Sequence, residues 1–261
     1  FKTHKTQGNL NNELGVPLTL LSMPEDTEAA VIEMGISDFG EMTRLSEMVQ
    51  PTICVLTIIG ECHLENLGDR DGVLKAKTEM FKNARKNADF ILNGDDDKLS
   101  TVKTVNGKKP VFFGLDAKND FYAKNIKNSG DGKVLATLCF DNNDIDVEIP
   151  AIGTYMVTNA LAAAAAGKLL GLTDEEIANG VASYKTVGSR ANVIDTGKIK
   201  IIDDCYNANP TSVRASLDTL SNLDGRKVAI LGDMKELGSE ELKLHFDTGV
   251  YAKSKDIGTV I

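Results

Sequence analysis

Three polar side chains follow apolar runs closely enough to sit at the ends of buried strands. Glu33 follows "AAVI", His63 follows "ICVLTII" and Asn93 follows "DFIL". In an open α/β sheet, ligands collect in the crevice beyond the carboxyl ends of the strands. Each group alone has a plain structural use, the Glu as a solvated or capping group and the His as a hydrogen-bonded loop residue. Facing one crevice, the three would bring a carboxylate, an imidazole and an amide to one ligand. Lys77 adds a lysine inside the helical pattern that follows His63.

Two further stretches are dense in hydrogen-bonding groups. "TQGNLNNELGVPLTLL" sets Asn9, Asn11 and Asn12 around glycines ahead of an apolar helix, which a turn and an N-cap would also explain. "IIDDCYNANPTS" ends a strand in two aspartates and places Tyr206, Asn207 and Asn209 before a helix that opens at Pro210. The free N–H groups of a helix start favour anions.

The elements that must position these groups alternate along the chain. Strands are expected at 29–35, 52–59 and 89–94, with helices at 40–50 and 71–88. Continuous apolar strands joined by helices mark a parallel sheet covered on both faces. From about 100 to 150 the pattern changes to short β segments, "VNGKKPVFFG", "KVLATLCF" and "IDVEIP", with a hairpin signal at Asn106-Gly107. This predicts an antiparallel patch appended to the parallel sheet. Helices follow at 154–171 and 173–184, the second opened by the capping box of Thr173 and Glu176. A second α/β unit is expected from 187, with a hairpin about Thr196-Gly197, a helix from Pro210, a strand "RKVAILGD" and a helix "SEELKLHFDTGVYAKS". The expected division is a central domain over 1–186 and a smaller Rossmann-like domain over 187–261.

Composition bounds the function. At 261 residues, with 42% hydrophobic and 26% charged residues, the chain reads as an ordinary globular protein. A net charge of −9 argues against a nucleic-acid binder and leaves room for a nucleotide in a local pocket. Cys54, Cys62, Cys139 and Cys205 form no C-x-x-C pair and read as free thiols in a reducing cytoplasm. No apolar stretch reaches membrane-spanning length, since "ALAAAAAGKLLGL" is broken by Lys168.

Taken in order, "TQGNLNNELGVPLTLL", "EMGISDFGE", "IGECHLENLGDRDGVLKAKTEMF", "ILNGDDD", "VTNALAAAAAGKLLG", "IIDDCYNANPTS" and "AILGDMKELG" resemble the Mur ligase family. "DDCYNANP" followed by "LGDMKELG" resembles the branch that adds D-alanyl-D-alanine to UDP-N-acetylmuramoyl-tripeptide in peptidoglycan precursor synthesis. The resemblance implies a cytoplasmic, monomeric, ATP-dependent ligase that activates a carboxylate as an acyl phosphate for attack by an amine. Such chemistry needs magnesium to neutralise the phosphates. By the family's pattern Glu33 holds one magnesium, while His63 and the carbamate of Lys77 hold or position a second. Lys77 cannot ligate as an ammonium, whereas a carbamate offers anionic oxygen to a hard cation. Asn93 and Asn159 match positions on the adenine side, and Arg190, in "GSRAN", would reach the phosphates and joins the catalytic set. Asp204 would meet nucleotide from the second domain. Tyr206, Asn207 and Asn209 would contact substrate, and Asn9, Asn11 and Asn12 would lie near the reacting carboxyl.

Some features depart from the pattern. The family's glycine-rich phosphate loop is expected before Phe1, and "NGKKP" is a hairpin rather than a substitute for it. The nucleotide-sugar domain of the family and the end of its C-terminal domain are expected outside this sequence, leaving a fragment that does not turn over ATP by itself. Ile58 stands where the family usually has Asn, and Tyr155 where His is common. The alternatives are a sister ligase adding another amino acid and a non-catalytic nucleotide-binding homologue. No G-x-G-x-x-G follows a strand, which disfavours a dinucleotide oxidoreductase.

Overall fold

The computed structural model describes residues 1–129 and 132–261. At the start, β1 (Thr3–Lys5) and β2 (Ala29–Val31) pair in parallel across α1 (Gly15–Leu21). After α2 (Glu41–Val49) comes β3 (Ile53–Leu56), then the single turn α3 (Leu64–Leu67) and α4 (Arg70–Thr78). β4 (Asp89–Asn93) and β5 (Val111–Phe113) complete a parallel sheet in the order β3-β4-β5. Phe90 and Leu92 of β4 pack with Met42 and Leu45 of α2 and Val73 of α4, whereas Ile91 faces the opposite cluster. A strand covered on both faces has no wet side, so "DFILN" carries the continuous apolar run expected of it.

The second sheet is an antiparallel meander of β6 (Tyr122–Asn128), β7 (Val134–Phe140) and β8 (Asn143–Ile149). Helix α5 (Tyr155–Leu169) lies between the two sheets. Its Val157, Leu161 and Ala165 are buried against Ile91 and Phe113 on one side and Leu138 and Ile149 on the other. Alanine suits a helix with neighbours on both sides, because small side chains let both sheets approach. α6 (Asp174–Ala182) opens with the expected capping box, in which Glu176 N–H bonds Thr173 Oγ1 at 3.2 Å and Thr173 N–H bonds Glu176 Oε2 at 2.8 Å.

The last part of the chain has its own core. β9 (Asn192–Asp195) and β10 (Lys200–Asp203) form a hairpin, followed by α7 (Pro210–Ser221), β11 (Val228–Ala229), α8 (Glu241–Ser254) and β12 (Thr259–Val260). Val213, Leu217, Met234, Leu237 and Leu244 pack together, and Leu64 of α3 reaches into them from the first half.

The expected class, a mostly parallel α/β unit with an antiparallel patch followed by a second α/β unit, is the one observed. Four details differ. β2 ends at Val31, β3 ends at Leu56 and β11 spans two residues, so all three strands are shorter than their apolar runs. The helix expected over 71–88 stops at Thr78 and tightens into a 3₁₀ turn at Glu79–Lys82. There the Glu79 carboxylate accepts the N–H groups of Gly40 and Thr43, capping α2, and Arg85 N–H bonds Pro51 O at 3.0 Å, turning the chain into β4. Val111–Phe113 runs parallel to β4 instead of joining the antiparallel patch, because Asn106 and Gly107 (φ 50° and 81°) reverse the chain just before it. β6 is an unanticipated strand, its alternation broken by Asn125 at φ 55° between Lys124 and Lys127.

Candidate functional site

The segment leaving β3 is held from several sides. Asn93 Nδ2 donates to Thr57 O at 2.9 Å, Lys77 Nζ to Ile58 O at 3.2 Å and Arg70 Nε to Ile59 O at 2.7 Å. Ile59 N–H donates to Asp96 Oδ2 at 2.9 Å. The three aspartates of "NGDDD" each hold a different partner. Asp95 accepts Leu115 N–H and Asn119 Nδ2, tying down the end of β5. Asp96 Oδ1 accepts the N–H groups of Lys98 and Leu99 at 3.0 and 2.9 Å. Asp97 pairs with Arg70, whose guanidinium holds the Asp97 carboxyl below its usual range. Lys77 and Asn93 therefore converge on Thr57–Ile58, while Asn93, buried and bonded also to Asp95 N–H at 2.9 Å, serves the scaffold.

Sequence reasoning missed Arg70, Asp95 and Asp96, and the signal was present. Three consecutive carboxylates after a buried strand exceed what a solvated turn requires.

At the end of β2, Glu33 is exposed, with Oε1 accepting Asn11 Nδ2 at 2.9 Å. Its backbone N–H is held by Thr6 Oγ1 at 2.9 Å, and Gly35 N–H bonds Asn11 O at 2.8 Å. A Cβ at Gly35 would lie 2.7 Å from Asn11 Nδ2, so this approach needs glycine. Asn12 spends its side chain on the N–H groups of Leu14 and Gly15, at 3.1 and 2.9 Å, at the start of α1. Asn9 is exposed beside them.

His63 adopts a left-handed backbone, φ 53°, just ahead of α3. Its Nδ1 lies against the Glu236 carboxylate without the alignment of a hydrogen bond. Among the described residues, no hydrogen bond or ion pair joins Glu33, His63 and Lys77 to one another, and no acid pairs with Lys77.

In the second half, Arg190 is exposed, and its guanidinium carbon lies 4.1 Å from the centre of the Tyr206 ring. Tyr206 N–H bonds Ser189 O at 3.1 Å. Asp204 accepts Ala191 N–H at 2.9 Å and the Ser216 hydroxyl, joining the segment after Arg190 to α7. Asn209 caps α7, accepting Ser212 N–H at 2.9 Å, and exposed Asn207 accepts Ala208 N–H at 3.0 Å. Asn159 is exposed on α5 with Nδ2 3.7 Å from Met156 Sδ, at the wall of a mainly apolar groove of about 350 Å³ between α5 and α6. The four expected thiols are free, and burial pushes Cys54 up to about 12. Burial likewise pushes the Tyr155 phenol up to about 12.

The profile of the Mur ligase middle domain matches residues 1–167. The chain belongs to the Mur ligase family. A second profile, the Mur ligase glutamate ligase domain, matches residues 189–261. The UDP-N-acetylmuramoyl-tripeptide–D-alanyl-D-alanine ligase of Bacillus subtilis is 37% identical over 263 residues, covering 100% of this chain and 56% of that one. A crystal structure of MurF from Acinetobacter baumannii superposes with a TM-score of 0.94 at 32% identity, covering 99% of this chain and 56% of that one. MurF ligase from Thermotoga maritima, solved in complex with ADP, superposes with a TM-score of 0.89 at 30% identity, covering 100% and 60%. The chain thus spans little more than half the length of these Mur ligases.

Among the described residues, no three His, Cys, Asp or Glu side chains gather into a metal cage. Magnesium does not need one, because it is commonly held by one or two carboxylates together with substrate phosphates and water. Glu33 fits that use, with one oxygen fixed by Asn11 and the carboxylate open to solvent. His63 fits as well, its Nδ1 covered by a carboxylate and Nε2 left to act as a ligand.

Proposed function

We propose that the chain serves an ATP-dependent amide-forming ligase that joins D-alanyl-D-alanine to UDP-N-acetylmuramoyl-tripeptide in the cytoplasm. The observation that carries this reading is the superposition of the chain, both halves together, on two MurF structures, one of them in complex with ADP. On this proposal residues 1–186 form a central domain and 187–261 a C-terminal domain, and the protein acts as a monomer. No helix among the described residues is long and apolar enough to cross a membrane.

When bound, ATP would supply the phosphoryl group that activates the carboxylate, and magnesium would screen the phosphate charge. The chain's own groups divide the remaining work. Glu33, oriented by Asn11, and His63 present an oxygen and a nitrogen to the cation. Lys77 would add oxygen as a carbamate, formed when its neutral amine takes up carbon dioxide and releases a proton to water. Arg190, exposed above Tyr206, offers a cation to the phosphates. Asn9, Asn11, Asn12, Tyr206, Asn207 and Asn209 would flank the substrates, and Asn93, Asn159 and Asp204 the nucleoside. Asn12, Asn93, Asp204 and Asn209 would do so through the backbone they fix, because their side chains already hold structural bonds.

The test is product formation by the full-length enzyme, not by these 261 residues alone, with Mg-ATP and both substrates. One phosphate should be released per amide formed, and release should depend on the dipeptide. Preference for a single amino acid would point to a sister ligase, and nucleotide binding without turnover to a non-catalytic homologue.

A further inference from the structure

We infer that Glu236, in the C-terminal half of the chain, is a positioning residue that reaches across to His63 and fixes the orientation of its imidazole. The inference rests on the reading of His63 as a cation-holding group and adds a residue that the resemblance does not assign.

Three observations carry it. The first is the contact itself. Nδ1 of His63 is sealed from solvent by the Glu236 carboxylate, while about a third of the side chain, 32%, stays exposed. The carboxylate is not aligned for a hydrogen bond, but its negative charge held against Nδ1 favours the tautomer protonated there and leaves the Nε2 lone pair for a cation.

The second is that both partners are held in uncommon backbone. His63 has φ 53° and Glu236 has φ 62°, left-handed values that ordinary side chains rarely adopt. Such conformations persist where the surrounding structure imposes them.

The third is how firmly the Glu236 loop is seated. Its start is pinned by His245, whose Nε2 accepts Met234 N–H at 3.1 Å while Nδ1 lies 2.9 Å from Glu241 O. Met234 and Leu237, on either side of the exposed Glu236, are buried in the core that also receives Leu64. Glu236 O accepts Glu65 N–H at 3.3 Å, and a Cβ at Gly238 would lie 3.3 Å from the Glu65 Cα. The loop fits closely against α3, so the carboxylate is set by packing, unlike a side chain that finds its partner by chance on an open surface. An exposed ion pair alone contributes little to stability. The geometry therefore matters for what it does to the ring.

The test uses the full chain and its Glu236→Ala and Glu236→Gln variants. Two-dimensional ¹⁵N spectra of the histidine rings, without metal, should show His63 protonated on Nδ1 in the parent. That preference should be lost in E236A and weakened in E236Q, which keeps an oxygen beside Nδ1 but not the charge. Mn²⁺ binding with a non-hydrolysable ATP analogue, followed by electron paramagnetic resonance, should weaken about 10–100-fold in E236A. It should weaken less in E236Q. A parent protein protonated on Nε2, or an E236A variant with the parent's tautomer and Mn²⁺ affinity, overturns the inference. If His63→Ala leaves Mn²⁺ affinity unchanged while E236A still alters the ring, the cation-holding reading of His63 fails and the positioning contact stands.

Discussion

Replacing Asp96 should loosen the end of β3 by an amount that can be worked out. Its side chain, 8% exposed, accepts three backbone N–H groups, those of Lys98, Leu99 and Ile59. In Asp96→Ala the turn at Leu99–Thr101 loses its cap, at about 1 kcal/mol. Ile59, fully buried, is left with an unpaired N–H, at about 1–3 kcal/mol. The sum is about 2–4 kcal/mol, which for a urea slope of about 3 kcal/mol per M lowers the unfolding midpoint by about 1 M. Asp96→Asn separates the two parts. Both carboxylate oxygens are acceptors, so the new NH₂ meets an N–H whichever way the amide turns. With its oxygen kept on Lys98 and Leu99, the cap survives and only the Ile59 bond is lost. The Asn variant should therefore fall between the parent and Ala in urea unfolding followed by circular dichroism. An Asn variant matching the parent would show that Ile59 N–H does not depend on Asp96, and would refute the account of how this segment is held.

Gly72→Ala should destabilise α4, although alanine ordinarily gains about 1 kcal/mol over glycine in a helix. A Cβ there would lie 1.8 Å from the Leu67 carbonyl oxygen, and a thermal midpoint equal to or above the parent's would contradict this. Cys54 and Tyr155 keep their protons up to about 12 in the fold, against 9.0 and 10.0 when unperturbed. Their raised values give stability that is present below pH 9.0 and lost as pH climbs from there towards 12. Urea midpoints taken from pH 8 to 11 should decline, and less steeply above pH 10 in Tyr155→Phe. Lys77→Ala should lower ligation by the full-length enzyme by about 100-fold or more, with formate or acetate restoring part of it. Near-parental ligation would remove the carbamate from the proposal.

Much of this arrangement was legible in the sequence because strand burial and helix capping are local. "DFILN" announces a strand buried on two faces, and Thr173 with Glu176 announces a helix start. The pairing of β5 with β4 was not legible, since "VFF" suits either sheet and only the reversal at Asn106-Gly107 decides between them. The site divides the same way. Glu33 and His63 were proposed from their places after apolar runs, and the structure sets them beyond the ends of β2 and β3. That Asn12 spends its side chain at a helix start was readable as one of two options, and the structure takes it, whereas the use of Asn209 as the cap of α7 was not read. Glu236 lies far from His63 in sequence, and no spacing rule connects them.

The place of α5 between the two sheets has a consequence for the order in which the chain folds. The meander and α5 are neighbours in sequence and close on one another over short loops, whereas β3, β4 and β5 pair across longer crossovers. In pulse-labelled hydrogen exchange, the amides of Leu138 and Val147 should gain protection before those of Ile91 and Leu92; the reverse order would rule this route out. On the ribosome the sequence of events is less favourable. Ile91 and Phe113 are synthesised well before Leu161 and Ala165, the surface that covers them. The half made first must wait, with its apolar strands uncovered, for a helix that ends at Leu169. Over that interval the nascent chain is most exposed to aggregation and most in need of a chaperone.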